Sequence, residues 1–498
     1  MIATHAYGDW SWQFPPRYAN AATSKRNNVF YVGETVAFTT GSTATRYEVR
    51  NYYGLLVDQG TISGQGTNIT FPVHVQTPGW YKLYLYGGTD QGAPWNYVVG
   101  GSTFVIFRND TRFPALPAPG TFGGENPSQD EVMRGITGMG PQRYFVQDCN
   151  NPADAISKLD QDIAVDETMY IPYDPVRKRV LMIAFPNGTS NLAGVAQIVA
   201  HFQDRVQYWE PRNEPNSDTA GSTFATGEMK SFYQTVKSVN PTLKVLGPGV
   251  VSLSQQYWID DFLKAGGGNY IDAFSFHAYN NVDGDFWLAR TAFDSVKWQL
   301  KCYGFPNMEL WQTEQGYMAA VYGDYEPRLQ GRWTMVEMMA FEQAGIPKEH
   351  NHLWYDKSQG YWDYPMFAEN EDTGFNPSAA LMRVWSEELY GKQFVRAYDF
   401  GTVDNNIYVG SLFQNPAGTS GVAAFMTNGN TVGQINLSIS GGATSVQTVD
   451  AFGVTTIRAV SGGTLALPVS ELPVYVELGS GQTCTVVPRT YGTNVATA

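Results

Sequence analysis

The sequence predicts a multidomain chain of α/β and β character, a (β/α)₈ barrel flanked by an N-terminal Ig-like β-sandwich and a C-terminal β-sandwich. Two observations carry that expectation. Between about residues 113 and 394, apolar strand-like runs alternate with amphipathic helical stretches, the pattern of parallel strands buried on both faces. On either side the period drops to short alternating runs separated by Gly, Asn and Pro turns. At 498 residues the chain is also too long for one ordinary core, so two to four domains are expected.

Residues 1–112 read as short strands. A strand, a bend and a second strand span 30–38, with further strands at 46–49, 54–57 and 69–75. The Pro78-Gly79 turn then opens an alternating run to Tyr86. Strands at this spacing suit an antiparallel sandwich of about 100 residues. Such a module either binds carbohydrate or only packs on its neighbour, and packing is favoured because no one-sided aromatic cluster is evident. The Pro-rich connector 113–120 marks the boundary, since proline holds itself and its predecessor extended.

In 113–394 the expected helices are 128–136, 153–163, 195–202, 228–238, 256–265, 285–302, 330–344 and 378–390. The strands between them are 143–146, 179–185, 205–209, 244–251, 271–276, 308–313 and 352–355. Repetition with right-handed crossovers closes as a barrel. An open doubly wound sheet is the alternative, but no Gly-rich phosphate loop follows an early strand. Strands return at 407–412, 421–427, 434–439, 446–449, 455–458 and 474–477, forming a small sandwich over 395–488. The polar tail 489–498 is expected to be loose.

Composition narrows the function. Charged residues make up 16% and aromatics 14%, with 13 Trp and 30 Tyr, so the chain is not of disordered type. Aromatics in such number suit clefts where the apolar face of a sugar ring stacks, although large β-rich cores use many as well. The net charge of −14 argues against a nucleic-acid partner. It also makes a strongly anionic polymer a less natural substrate. No apolar run approaches the ~20 residues of a membrane span. The start at Met1 has neither a charged n-region nor an apolar h-region, so no signal peptide is visible. Cys149, Cys302 and Cys484 lie far apart, and His5, His74, His201, His277, His350 and His352 are scattered. No disulfide framework or metal-ligand spacing emerges, so neither cofactor nor metal is expected. The oligomeric state is not legible.

Residues 208–216 read Tyr-Trp-Glu-Pro-Arg-Asn-Glu-Pro-Asn, placing Glu214 beside Asn213 at the end of a β-prone segment. Glu314 ends a similar segment, about 100 residues later. That separation fits barrel positions about three βα units apart, at roughly 30–35 residues per unit. Glycoside hydrolysis needs two such carboxylates on rigid supports, one to protonate the leaving oxygen and one to attack or to activate water. Glu210 shares the face of Glu214 by period 2 but lies a layer deeper, where a buried salt bridge is expected. Glu309 precedes its strand core and is expected to point into the helix layer.

Asn213-Glu214-Pro215, His277-Ala278-Tyr279 and Thr313-Glu314-Gln315-Gly316, in that order, resemble the retaining glycoside hydrolases of clan A over roughly residues 115–395. Asn-Glu-Pro alone is a weak signal; the ordered set is strong. Arg212 stands where close relatives often have Trp, a departure that bears on subfamily more than on chemistry. The resemblance implies a TIM barrel with Glu214 as acid/base after strand four and Glu314 as nucleophile after strand seven. It implies cleavage of β-linked sugars of an oligo- or polysaccharide through a covalent glycosyl-enzyme. A transglycosylase with the same residues and a non-catalytic carbohydrate-binding protein are the alternatives.

It further implies that Asn213 holds the sugar 2-hydroxyl, Tyr279 donates to Glu314, His277 lines the subsite and Trp354 is a sugar platform. Arg143, near the second strand, is placed to support the nucleophile. Tyr355, Tyr361 and Trp362 lie in or beside a long aromatic loop, 356–376, that could roof the cleft. Low Lys content, many Gly and Thr and the appended β regions resemble secreted bacterial polysaccharide enzymes, which implies a secreted or periplasmic location.

Overall fold

Seven parallel strands hydrogen-bond in chain order at the centre of the molecule. They are seen in a computed structural model describing residues 21–23, 25, 28–40, 44–64, 68–87, 98–110, 141–168, 180–278, 285–314, 320–321, 324–325, 327–346, 348–349, 376–401 and 404–488. The strands are β1 (Pro141–Phe145), β2 (Val180–Ala184), β3 (Tyr208–Glu210), β4 (Lys244–Val250), β5 (Ala273–His277), β6 (Glu309–Glu314) and β7 (Lys348–Glu349). Every neighbouring pair is parallel, so each connection must cross back over the sheet.

Helices fill these connections: α1 (Pro152–Thr168), α2 (Leu192–Phe202), α3 (Gly221–Phe224 and Lys230–Val239, joined by the π-helical Ala225–Met229), α4 (Gln256–Lys264), α5 (Phe286–Cys302) and α6 (Pro327–Ala344). Helix α7 (Pro377–Leu389) follows β7. Two starts are set by local chemistry: Asn191 caps α2 through Gly194 N–H (3.0 Å), and Asp285 caps α5 through Trp287 N–H (2.8 Å). One face of the sheet carries Met182, Leu246, Ala273 and Trp311, with Tyr208 against them. The other, with Ile183, Trp209, Val245, Phe274 and Leu310, packs on Ile198, Phe232, Ile259, Phe262 and Phe293 of the helices. Burial on both faces is why these strands read as continuous apolar runs.

Lys348–Glu349 pairs with β6, just before the strand the sequence suggests at 352–355. That segment and the expected helix 128–136 lie outside the described residues. No helix among the described residues is long and apolar enough to cross a membrane.

The N-terminal region has a five-stranded and a three-stranded sheet over a common core of Phe30, Phe38, Tyr47, Phe71, Leu83 and Phe104. It is not wholly antiparallel: Val29–Tyr31 runs parallel to Val98–Phe107. Period-2 patterning reports burial, not strand direction, so sequence could not show this. The C-terminal region has a six-stranded and a three-stranded sheet sharing Leu412, Phe425, Leu437, Leu467 and Val476. Its first strand, Gln393–Ala397, begins before the expected boundary at 395 and is mostly exposed, so it lacks the alternation that reveals a strand. Thr464–Val469 and Cys484–Val486 also escaped the sequence reading.

Both β regions pack against the α/β centre. Trp80 and Phe107 from one and Phe413 and Tyr475 from the other join the core that includes Val384 and Trp385 of α7. Arg108 pairs with Glu387 and Glu388 of α7. Arg328 of α6 meets Glu471 at 2.8 Å, and Tyr52 Oη donates to Arg328 O at 3.1 Å.

Candidate active site

The chain leaves β3 through Pro211 into a turn that holds Glu214 at φ 46°, ψ 54°. Left-handed backbone costs a non-glycine residue roughly 1–2 kcal/mol, so the surroundings must enforce it. They do so on three sides. Glu214 N–H donates to Gly249 O (3.1 Å), while Glu214 O accepts from Ser217 N–H (3.0 Å) and Ser217 Oγ (2.8 Å). Asn216 Oδ1 accepts from Val251 N–H (3.0 Å). Arg212 ties the turn down through Asp218 Oδ2 (2.5 Å) and Glu228 Oε2 (3.3 Å). Glu228, on the π-helical turn of α3, also accepts from Thr189 N–H (2.8 Å) and Oγ1 (3.0 Å).

Two irregular strands aim the remaining groups. Gly249 sits at φ +67° where the β4 register shifts, and a Cβ there would lie 3.1 Å from Glu210 Oε1 and 3.2 Å from Arg212 O. Only glycine satisfies both conditions. On β6 the register shifts as well: Phe276 pairs with Gln312, but His277 pairs with Glu314. The extra residue lets both Thr313 and Glu314 reach the interior, the usual effect of a bulge on side-chain direction. Thr313 Oγ1 donates to Glu210 Oε1 at 3.3 Å.

Arg143 of β1 crosses beneath both acids. Its Nε donates to Glu210 Oε2 (2.9 Å), Nη2 to Glu210 and to Asn213 Oδ1 (3.1 Å), and Nη1 to Glu314 Oε1. Ser275 Oγ completes the Glu210 shell at 2.6 Å, so Glu210 forms the buried ion pair its register suggested. Burial opposes the Arg143 cation, yet the Glu210 and Glu314 carboxylates outweigh it and hold its pKa above the ordinary value.

His277 Nδ1 stands between the acids, 2.8 Å from Glu214 Oε1 and 3.3 Å from Glu314 Oε2. One donor atom from each of the three lies within 4.8 Å of the others. The Glu214 side chain is 26% exposed and that of Glu314 only 6%.

The structure thus brings together Glu214, Glu314, Asn213, Arg143 and His277. Tyr279, Trp354, Tyr355, Tyr361 and Trp362 lie outside the described residues. One expectation is sharpened and one needs correction. His277, expected to line the subsite, is hydrogen-bonded to Glu214 and stands 3.3 Å from Glu314, opposite which the bulge sets it. Glu309 does not face the helix layer; its Oε2 accepts from Trp311 Nε1 (2.9 Å), on the inner face at the other end of β6.

Sequence reasoning missed Ser275, Gly249 and Glu228, and gave Thr313 no role of its own. Ser275 had a faint signal as a polar residue in an otherwise apolar strand. Sequence spacing also suggested no metal ligands, whereas Glu214, His277 and Glu314 converge from three separate strand ends.

No family model and no curated protein matches the sequence. By structure, the chain is similar to a family 39 glycoside hydrolase from the gut symbiont Bacteroides cellulosilyticus WH2, with a TM-score of 0.65 at 15% identity, covering 91% of this chain and 99% of that one. It is similar also to a glucosidase from Croceicoccus marinus, with a TM-score of 0.52 at 13% identity, covering 73% of this chain and 94% of that one. Such identities speak for the fold alone: a parallel α/β centre with accompanying β-sheets, shared with glycoside hydrolases.

Proposed function

We propose that the chain is a retaining glycoside hydrolase of clan A, cleaving β-linked sugars of an oligo- or polysaccharide through a covalent glycosyl-enzyme. Its seven parallel strands then belong to a closed (β/α)₈ barrel over 113–394, between a sandwich at 1–112 and another at 395–488. The observation that carries this reading is that one carboxylate oxygen of Glu214 and one of Glu314 lie within 4.8 Å of each other. Retention calls for about 5–5.5 Å, whereas inversion needs roughly 6.5–9.5 Å to admit a water.

The two environments support distinct roles. Glu314 is buried against the Arg143 guanidinium, which favours the ionised form needed for attack. Glu214 reaches solvent and can exchange a proton. In the first step Glu314 attacks the anomeric carbon while Glu214 protonates the departing oxygen. In the second, Glu214 takes a proton from water, which displaces Glu314 and restores the original configuration. With its Oδ1 held by Arg143, the Asn213 amide presents Nδ2 as donor for the sugar 2-hydroxyl. His277 positions the Glu214 carboxyl group. Tyr279, Trp354, Tyr361 and Trp362 are assigned to sugar subsites, and a secreted or periplasmic location accords with a polymeric substrate.

Azide rescue tests the roles. Glu214→Ala with an activated aryl β-glycoside should accumulate a glycosyl-enzyme and yield a β-glycosyl azide. Glu314→Ala should yield the α-azide by direct attack. Opposite anomers would reverse the assignment, and full activity in both variants would end it.

A further inference from the structure

We propose that Glu214, His277 and Glu314 also form a binding site for a divalent transition-metal ion of the Zn²⁺ or Cu²⁺ class, which excludes substrate and silences the enzyme. The site stands on geometry; only its inhibitory consequence rests on the proposed function. At metal–ligand distances of about 2.0–2.2 Å, neighbouring donors around one ion sit roughly 3–3.5 Å apart. His277 Nδ1 is 2.8 Å from Glu214 Oε1 and 3.3 Å from Glu314 Oε2, with the full triplet inside 4.8 Å. The remaining adjustment falls on Glu214, the most exposed of the three side chains.

Charge favours the ion as well. Arg143 pairs with Glu210 and Glu314, while Glu214, the third carboxylate, meets His277. Arg143 engages Glu314 through Oε1, and Oε2 lies on the His277 side. An imidazole nitrogen with two carboxylates suits zinc, copper or nickel, whereas calcium and magnesium prefer all-oxygen shells. Three protein ligands would leave a coordination position open to water, within the space where the glycosidic oxygen must sit.

The test uses the untagged full chain, freed of metal by chelation. Titration with Cu²⁺, followed by electron paramagnetic resonance, should show one ion per chain carrying the signature of a single imidazole nitrogen. His277→Gln should abolish that signature, and Glu214→Gln and Glu314→Gln should each weaken binding at least tenfold. Zn²⁺ should inhibit hydrolysis competitively, with full recovery on chelation. A nitrogen signature that persists in both Glu→Gln variants, or no binding below millimolar metal, would overturn the proposal. Because Glu214 is partly exposed, Glu214→Gln keeps the test decisive even if His277→Gln does not fold. Single-site binding without hydrolysis of any glycoside would sink the functional reading and leave the metal site standing; hydrolysis untouched by zinc would do the reverse.

Discussion

The ends of β3 and β6 present the same side chain in opposite ways. Glu214 sits on a strained turn, held from outside by backbone hydrogen bonds and the Arg212–Glu228–Thr189 chain, and its carboxyl group meets solvent. Glu314 sits on a bulged strand, held from inside by Arg143, and is nearly sealed. The contrast teaches that the same side chain can be given different supports for the different roles proposed above: a fixed cation beside Glu314 and access to water for Glu214.

The largest effect should come from breaking the inner end. Glu314→Ala is expected to lower kcat about 10⁵-fold on any glycoside, whatever the leaving group, as read by steady-state kinetics. Glu214→Ala should cost about 10²–10⁴-fold on an unactivated glycoside yet spare the first step on an activated one, visible as a burst of phenol. Equal losses on both substrates would erase the distinction between the two ends.

Arg143→Met probes the support beneath the nucleophile. It strands Glu210 and Glu314 in a buried setting and should destabilise the fold by about 3–5 kcal/mol in denaturant unfolding. Glu228→Gln probes the outer support. It should loosen the Glu214 turn and reduce kcat about tenfold with KM nearly unchanged, and glycosyl-enzyme should accumulate on activated substrates. A loss of stability with intact kcat would make Glu228 a purely structural link. The smallest expected effect is that of chelation on metal-free assays: none, since two carboxylates perform the chemistry.

Much of this was legible in the chain itself. The helices expected at 195–202, 256–265 and 285–302 match α2, α4 and α5 to within a few residues. A hydrophobic period is local, and a buried parallel strand must be apolar on both faces. Asn213-Glu214-Pro215 and Thr313-Glu314 were visible because strand-end acids interrupt such runs. The exposed strand Gln393–Ala397 and the parallel N-terminal pair left no such mark.

Sequence alone therefore determined the order of elements and the two acids, because those depend on residues near one another in the chain. Only the tertiary structure decided how the acids are held. The β6 bulge that turns Glu314 inward and the Gly249 approach to Glu210 are matters of register between strands. The reach of Arg143 from β1 to groups 67, 70 and 171 residues away is a matter of proximity in space. Register and proximity arise from the packing of the whole sheet, which no local period records.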